Sequence, residues 1–169
     1  MPERNHKILL LALGNDILGD DAVSLFAARE LGKRFHDQLD ILEAPIAGFA
    51  LLDLLAGYEK VLILDSIVAP GSVPGAVREL TINDLSTRSF SSPHYVGLSE
   101  VLELANRLDI PFPNEIRILA IDVCDPYRLH EGLTEEVNAQ LPKFVDEAEN
   151  ILLRWIPRFA EHRNVLPAR

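Results

Sequence analysis

Thiols, long apolar runs and positive charge are all in short supply in this chain. Cys124 is its single cysteine, so an internal disulfide is excluded and a reducing compartment, by default the cytoplasm, is expected. No apolar run approaches the roughly 20 residues a membrane helix needs. The first, Ile8 to Leu13, stops at Gly14-Asn15-Asp16 without a small-residue cleavage site, so neither a membrane span nor a signal peptide is expected. Lys+Arg number 16 against 26 Asp+Glu, a net charge of −10. That charge repels nucleic acid and anionic membranes at long range. Several catalytic signatures are missing as well: H-E-x-x-H, G-x-S-x-G and a Walker lysine do not occur. The first loop, A-L-G-N-D-I-L-G, lacks the glycine spacing of a dinucleotide site.

What remains is an ordinary globular composition. The chain has 169 residues, 48% apolar and 25% charged, enough for one well-buried domain. That domain is expected over 1–157, with 158–169 a loose tail. Lys7 to Leu13 is apolar without polar alternation, the pattern of a strand covered on both faces. A loop leads to a helix from Ala22 to Phe35, then a strand from Leu39 to Glu43. A short helix from Phe49 to Ala56 follows, stopped by Gly57, and a third buried strand, Val61 to Leu64, runs straight into Asp65. The more polar Ala76 to Ile82 reads as an edge strand. A helix from about Gly97 to Leu108, a buried strand from Ile116 to Ile121 and a helix from Thr134 to Trp155 complete the order, with Thr134 as N-cap and Pro142 expected to kink or split the last helix. Alternating strands and helices predict a three-layer α/β sandwich.

In such sheets, ligands bind beyond the carboxyl ends of the strands. The residues there are Asn15, Asp16, Asp20 and Asp21 after the first strand, Asp65 after the third, His94 in S-S-P-H, and Asp122, Cys124 and Asp125 after the last. Two carboxylates and an imidazole converging on this edge would suit a borderline divalent ion such as nickel, zinc or manganese. Each residue also has a plainer reading. Asp20 or Asp21 could cap the helix that follows, although two adjacent acids rarely both cap. His94 could be a satisfied loop histidine, and Cys124 an inert small hydrophobe. Asp65 is harder to explain away, because an acid directly after four apolar strand residues must be satisfied or solvated.

Together these segments resemble the hydrogenase maturation endopeptidases, which process the large-subunit precursor of nickel–iron hydrogenases. The resemblance rests on L-G-N-D-I-L-G-D-D at 13–21, V-L-I-L-D-S-I-V at 61–68, S-P-H-Y-V-G-L at 92–98 and H-E-G-L-T at 130–134. It implies a twisted, mostly parallel five-stranded sheet with one antiparallel edge strand and helices on both faces. It also implies one cut that removes a short C-terminal extension from the hydrogenase large-subunit precursor. Asp21, Asp65 and His94 fall on the family's catalytic, metal-binding positions, with Asp20 the alternative to Asp21. The implied metal is a divalent ion, nickel carried by the substrate, for which zinc or cadmium could substitute. Asn15, Glu43 and Gly48 are the implied precursor contacts. The segment Glu43-Ala44-Pro45-Ile46-Ala47-Gly48 departs from the family, which has an acid followed by Gly-Gly-Thr; only Glu43 and Gly48 fit. A monomer is the simplest expectation. The competing readings are a non-catalytic metal-binding chaperone of the same fold and a phospho-acceptor receiver domain. The receiver reading is weakened by the lack of any lysine between Lys60 and Lys143.

Overall fold

The computed structural model describes residues 6–71, 73–82, 84, 92, 94 and 98–156. Strands β1 (Ile8–Leu13), β2 (Asp40–Ala44), β3 (Lys60–Ile67), β4 (Val77–Leu80) and β5 (Glu115–Asp122) form one sheet in the order β2-β1-β3-β5-β4. All pairings are parallel except β4 with β5. The helices are α1 (Val23–Phe35), α2 (Ala50–Leu55), α3 (Leu98–Arg107) and α4 (Glu135–Trp155), with a 3₁₀ turn over Gly19–Ala22. Among the described residues no helix is long and apolar enough to cross a membrane. The architecture is the three-layer α/β sandwich that the sequence implied, with β4 as its antiparallel edge. The expected tail, 158–169, lies outside the described residues, as do residues 89–91, 93 and 95–97.

Burial explains the unbroken apolar strands. Ile8, Leu10 and Ala12 join one core with Val23, Leu31, Phe144 and Trp155 from α1 and α4. Leu9, Leu11 and Leu13 join a second core on the opposite face, with Leu51 and Leu55 of α2. Every position of β1 is therefore inside, and alternation has no wet face to mark. Helix α4 runs through Pro142 without being split. Pro142 and Asn138 are both exposed, so the carbonyl deprived of its partner by the missing N–H is hydrated.

The sheet creates one crevice. β1 pairs with β2 as far as Leu13↔Ala44 and with β3 as far as Ala12↔Leu64. The chain leaves β1 for α1 on one face, and α2 packs against the other. Connections that depart to opposite faces between neighbouring strands open a cleft at the strands' carboxyl ends. β3 does not stop at Leu64 as its sequence suggested. It continues beside β5 through Asp65↔Ala120 to Ile67↔Asp122. Asp65 is thus inside a strand, one residue past its last β1 partner, with its backbone satisfied by β5 and its side chain at the cleft.

Candidate active site

Asp21, Asp65 and His94, far apart in sequence, meet in this cleft. The imidazole Nε2 of His94 lies 3.7 Å from Asp21 Oδ1 and 3.9 Å from Asp65 Oδ1. All three residues are buried, with Asp65 fully so. One ligand atom from each lies within 4.8 Å of the others.

Each side chain is aimed by a specific partner. Asp65 Oδ1 accepts the backbone N–H of Ser66 at 2.8 Å, and its Oδ2 accepts the Ser92 hydroxyl at 2.7 Å. The same Ser92 oxygen accepts the backbone N–H of His94 at 3.2 Å, so one serine holds both the Asp65 carboxylate and the backbone of His94. Alternation along β3 sends Ser66 to the face opposite Asp65. There its hydroxyl donates to Asp21 Oδ1 at 2.8 Å. His94 Nδ1 lies 3.0 Å from the carbonyl of Ile46. A carbonyl only accepts, so this contact assigns the proton to Nδ1 and leaves Nε2 facing the two acids.

Electrostatics mark the cluster as unfinished. Burial pushes the Asp65 carboxyl up to about 7, with the nearby imidazole and the Ser92 hydroxyl pulling part of the way back. Burial alone would lower His94, but the carboxylates of Asp21 and Asp65 and the Ile46 carbonyl outweigh it and hold the imidazole at about 9. Nε2 is buried without a hydrogen-bond partner. The ring nitrogen faces both carboxylates at ion-pair distance with no hydrogen bond of its own, which leaves it open to a ligand. One nitrogen and two oxygen donors at this spacing suit a divalent ion of the zinc or nickel kind.

The neighbouring acid has a different task. Asp20 faces away from the cluster and accepts both the backbone N–H and the hydroxyl of Thr134, at 2.7 and 2.9 Å. It pins the turn before α1 to the start of α4. Neither Asp20 nor Asp21 caps α1, whose N-cap is Ala22 without a side-chain bond. Thr134 occupies the N-cap position of α4, but its hydroxyl is spent on Asp20 and caps nothing. Gly14 is required where the loop folds back, because a Cβ there would sit 2.3 Å from the Asp21 carbonyl oxygen. Cys124 is exposed rather than packed as a hydrophobe.

The implied precursor contacts lie to one side. Asn15 Oδ1 accepts the N–H of Ile17 at 3.2 Å and shapes the β1–α1 turn. Asn15 and Glu43 line a common cavity with Ala44 and Pro45. Gly48 has φ +62°, a conformation that favours glycine, and its carbonyl starts the turn into α2. The divergent segment 43–48 serves the cluster through the Ile46 carbonyl, which any residue supplies, so its side chains can change without disturbing His94.

The profile of a family described as hydrogenase maturation protease (HycI) matches residues 26–151. The hydrogenase 2 maturation protease of Escherichia coli K12 is 30% identical over 165 residues, spanning 92% of this chain and 99% of that one. The chain belongs to the hydrogenase maturation protease family. It is therefore an endopeptidase, and the receiver reading is set aside. The hydrogenase expression/formation protein HupD of Bradyrhizobium diazoefficiens is 25% identical over 160 residues, covering 90% of this chain and 81% of that protein. Among solved structures, the maturating endopeptidase HybD from E. coli superposes with a TM-score of 0.75 at 28% identity, over 90% of this chain and 98% of that one. HybD of Thermococcus kodakarensis, a [NiFe] hydrogenase maturation protease, gives 0.66 at 28% identity, over 86% and 98%. In this maturation protease, the sequence does not announce the supporting roles of Ser66 and Ser92, and it offers Thr134 only as a helix N-cap. Ser92 stands in the S-P-H motif and Ser66 directly follows Asp65, so adjacency to an acid or histidine was the available signal.

Proposed function

We propose that this maturation protease removes a short C-terminal extension from a nickel-loaded hydrogenase large-subunit precursor, and that Asp21, Asp65 and His94 recognise the nickel the precursor carries. The observation that supports this most is the unpartnered His94 Nε2, buried between two carboxylates whose other contacts are already made. Nickel in the substrate would supply Lewis acidity to the scissile carbonyl or to an attacking water. The chain's own part is positional. Ile46 holds the imidazole in the tautomer that offers Nε2, and Ser66 and Ser92 hold the two carboxylates. A precursor without its ion meets three mutually strained polar groups and no compensating charge, so it is bound less well and is not cut. A carboxylate of the pair is the proposed general base for the attacking water. The same reading has a monomeric enzyme acting in the cytoplasm, without nucleic acid or membrane partners, in keeping with its single, exposed cysteine and its net charge of −10. Zinc or cadmium would occupy the three side chains in the absence of substrate.

The test is a gel-shift assay of the precursor's length. Wild-type enzyme should shorten loaded precursor and leave metal-free precursor intact. Asp65→Asn and His94→Ala should each lower the rate by 100-fold or more. Full cutting by both variants refutes the assignment of these residues.

A further inference from the structure

Arg29 lies on α1, outside the three-residue cluster, and makes four charged hydrogen bonds. Its Nε and Nη2 donate to Glu43 Oε1 and Oε2 at 2.9 and 2.6 Å. Its Nη1 and Nη2 donate to Asp16 Oδ1 and Oδ2 at 3.1 and 3.0 Å. Both edges of the guanidinium fork are thus filled by two-pronged carboxylate pairs, an arrangement a lysine cannot make. The Phe26 ring, one turn earlier, lies 5.9 Å from the guanidinium carbon and supports it from one face.

Exposed ion pairs do little for fold stability, so stability alone gives little reason for this arrangement. Its position suggests another. Asp16 belongs to the turn that carries Asn15 and leads on to Asp21. Glu43 is the penultimate residue of β2, and the chain runs on from there to Ile46, whose carbonyl holds His94. The two carboxylates bound by Arg29 also face a cavity of about 240 Å³, lined by Gly14, Asn15, Leu25, Ala44 and Pro45 besides the acids themselves. The wall of that cavity is formed by the turn after β1, the end of β2 and Leu25 of α1, and among the described side chains Arg29 is the one that hydrogen-bonds both acids.

We propose that Arg29 is a specificity-determining positioning residue. By tying Glu43 to Asp16 it fixes the width and charge of the cavity beside the cleft, and so selects which precursor segment is accepted there. This rests on the proposed function, deepening its account of substrate choice. The fork leaves the triad one negative charge, where Glu43 and Asp16 alone would carry two. Without Arg29 the two acid side chains repel each other across the cavity wall.

The experiment measures precursor binding and cleavage separately, using the full chain and nickel-loaded precursor. Arg29→Gln is expected to raise both Kd and KM about tenfold, with kcat within about twofold of wild type and the zinc-induced melting shift retained. Glu43→Gln should do the same, and the double variant should be no worse than either single, because one unit has been lost in each case. Arg29→Lys should recover only part of the binding, having the charge but not the fork. An unchanged Kd for Arg29→Gln, a loss confined to kcat, or additive single effects would each overturn the proposal. A wild-type enzyme that binds precursor but never shortens it would count against the proposed function, while the Kd comparison would still decide the role of Arg29.

Discussion

Replacing Asp65 with asparagine should stabilise the metal-free protein while abolishing its function, and should do so in a pH-dependent way. Asparagine has the shape of the carboxyl group. Its oxygen can still accept the Ser66 N–H, and its amide can donate to Ser92. What the change removes is a fully buried ionisable group whose carboxyl has been pushed from 3.8 to about 7. At about 1.4 kcal/mol per tenfold change, ionising Asp65 in the native state costs at most about 4 kcal/mol. For a carboxyl with a raised native pKa, the native state holds the proton more tightly than the unfolded chain between those two values. Stability therefore falls as pH rises from about 4 to about 7, and above that the loss stays constant. The variant lacks this loss. Its melting temperature should match wild type near pH 4 and exceed it above neutrality. At about 2–4 °C per kcal/mol for a domain of this size, the ceiling is on the order of 10 °C. The attraction to His94 is already contained in the carboxyl's value of about 7. The assay is a series of thermal melts in chelator from about pH 4 to about pH 9. A difference that does not change with pH, or an asparagine variant less stable at every pH, would show that Asp65 ionises as an ordinary acid and that the cluster is not electrostatically strained.

Other outcomes follow from the same geometry. His94 is held at about 9, so the stability contributed by its charged ring is lost as pH rises through about 9. A metal ion needs the unprotonated ring, so the melting shift caused by zinc or nickel should be larger near pH 8.5 than near pH 6. Equal shifts at both values would remove His94 from the site. Asp21→Asn should abolish most of the metal-induced shift, whereas Asp20→Ala should keep at least half of it and lower intrinsic stability by about 1–3 kcal/mol through the lost Thr134 bonds; calorimetry with and without zinc separates the two. Gly14→Ala forces a Cβ to 2.3 Å from the Asp21 carbonyl, so it should weaken zinc binding at least tenfold by isothermal titration. Unchanged affinity would mean that the loop has slack.

The fold was legible because burial on both faces leaves a plain mark. Ile8–Leu13 and Val61–Leu64 read as doubly covered strands for the reason that both cores claim them. The end of β3 was not legible. Asp65 and Ser66 look like the start of a loop, yet β5 continues to pair with them up to Ile67↔Asp122. A polar pair inside a strand is permitted here because each side chain is satisfied by an element distant in sequence, and sequence spacing cannot report such partners. The same holds at the start of α1. Capping preference offered Asp20 and Asp21 a local partner, but tertiary contacts with Thr134 and Ser66 captured both carboxylates.

The three cluster residues were found in sequence, while their supports were not, and this division has a physical origin. A ligand must have a particular side chain, so it leaves a letter that can be read. A support such as the Ile46 carbonyl is main chain and leaves none, so the divergence at 43–48, which the sequence ties to the choice of substrate, leaves His94 undisturbed. The constraint on that segment is its path, set by Gly48 at positive φ and by Glu43 at the end of β2. Side chains that face the cavity rather than the cluster are then free to follow the precursor. Selectivity can therefore drift in this protein without disturbing His94, and on the proposed role of Arg29 it does so as long as Glu43 stays tied to Asp16.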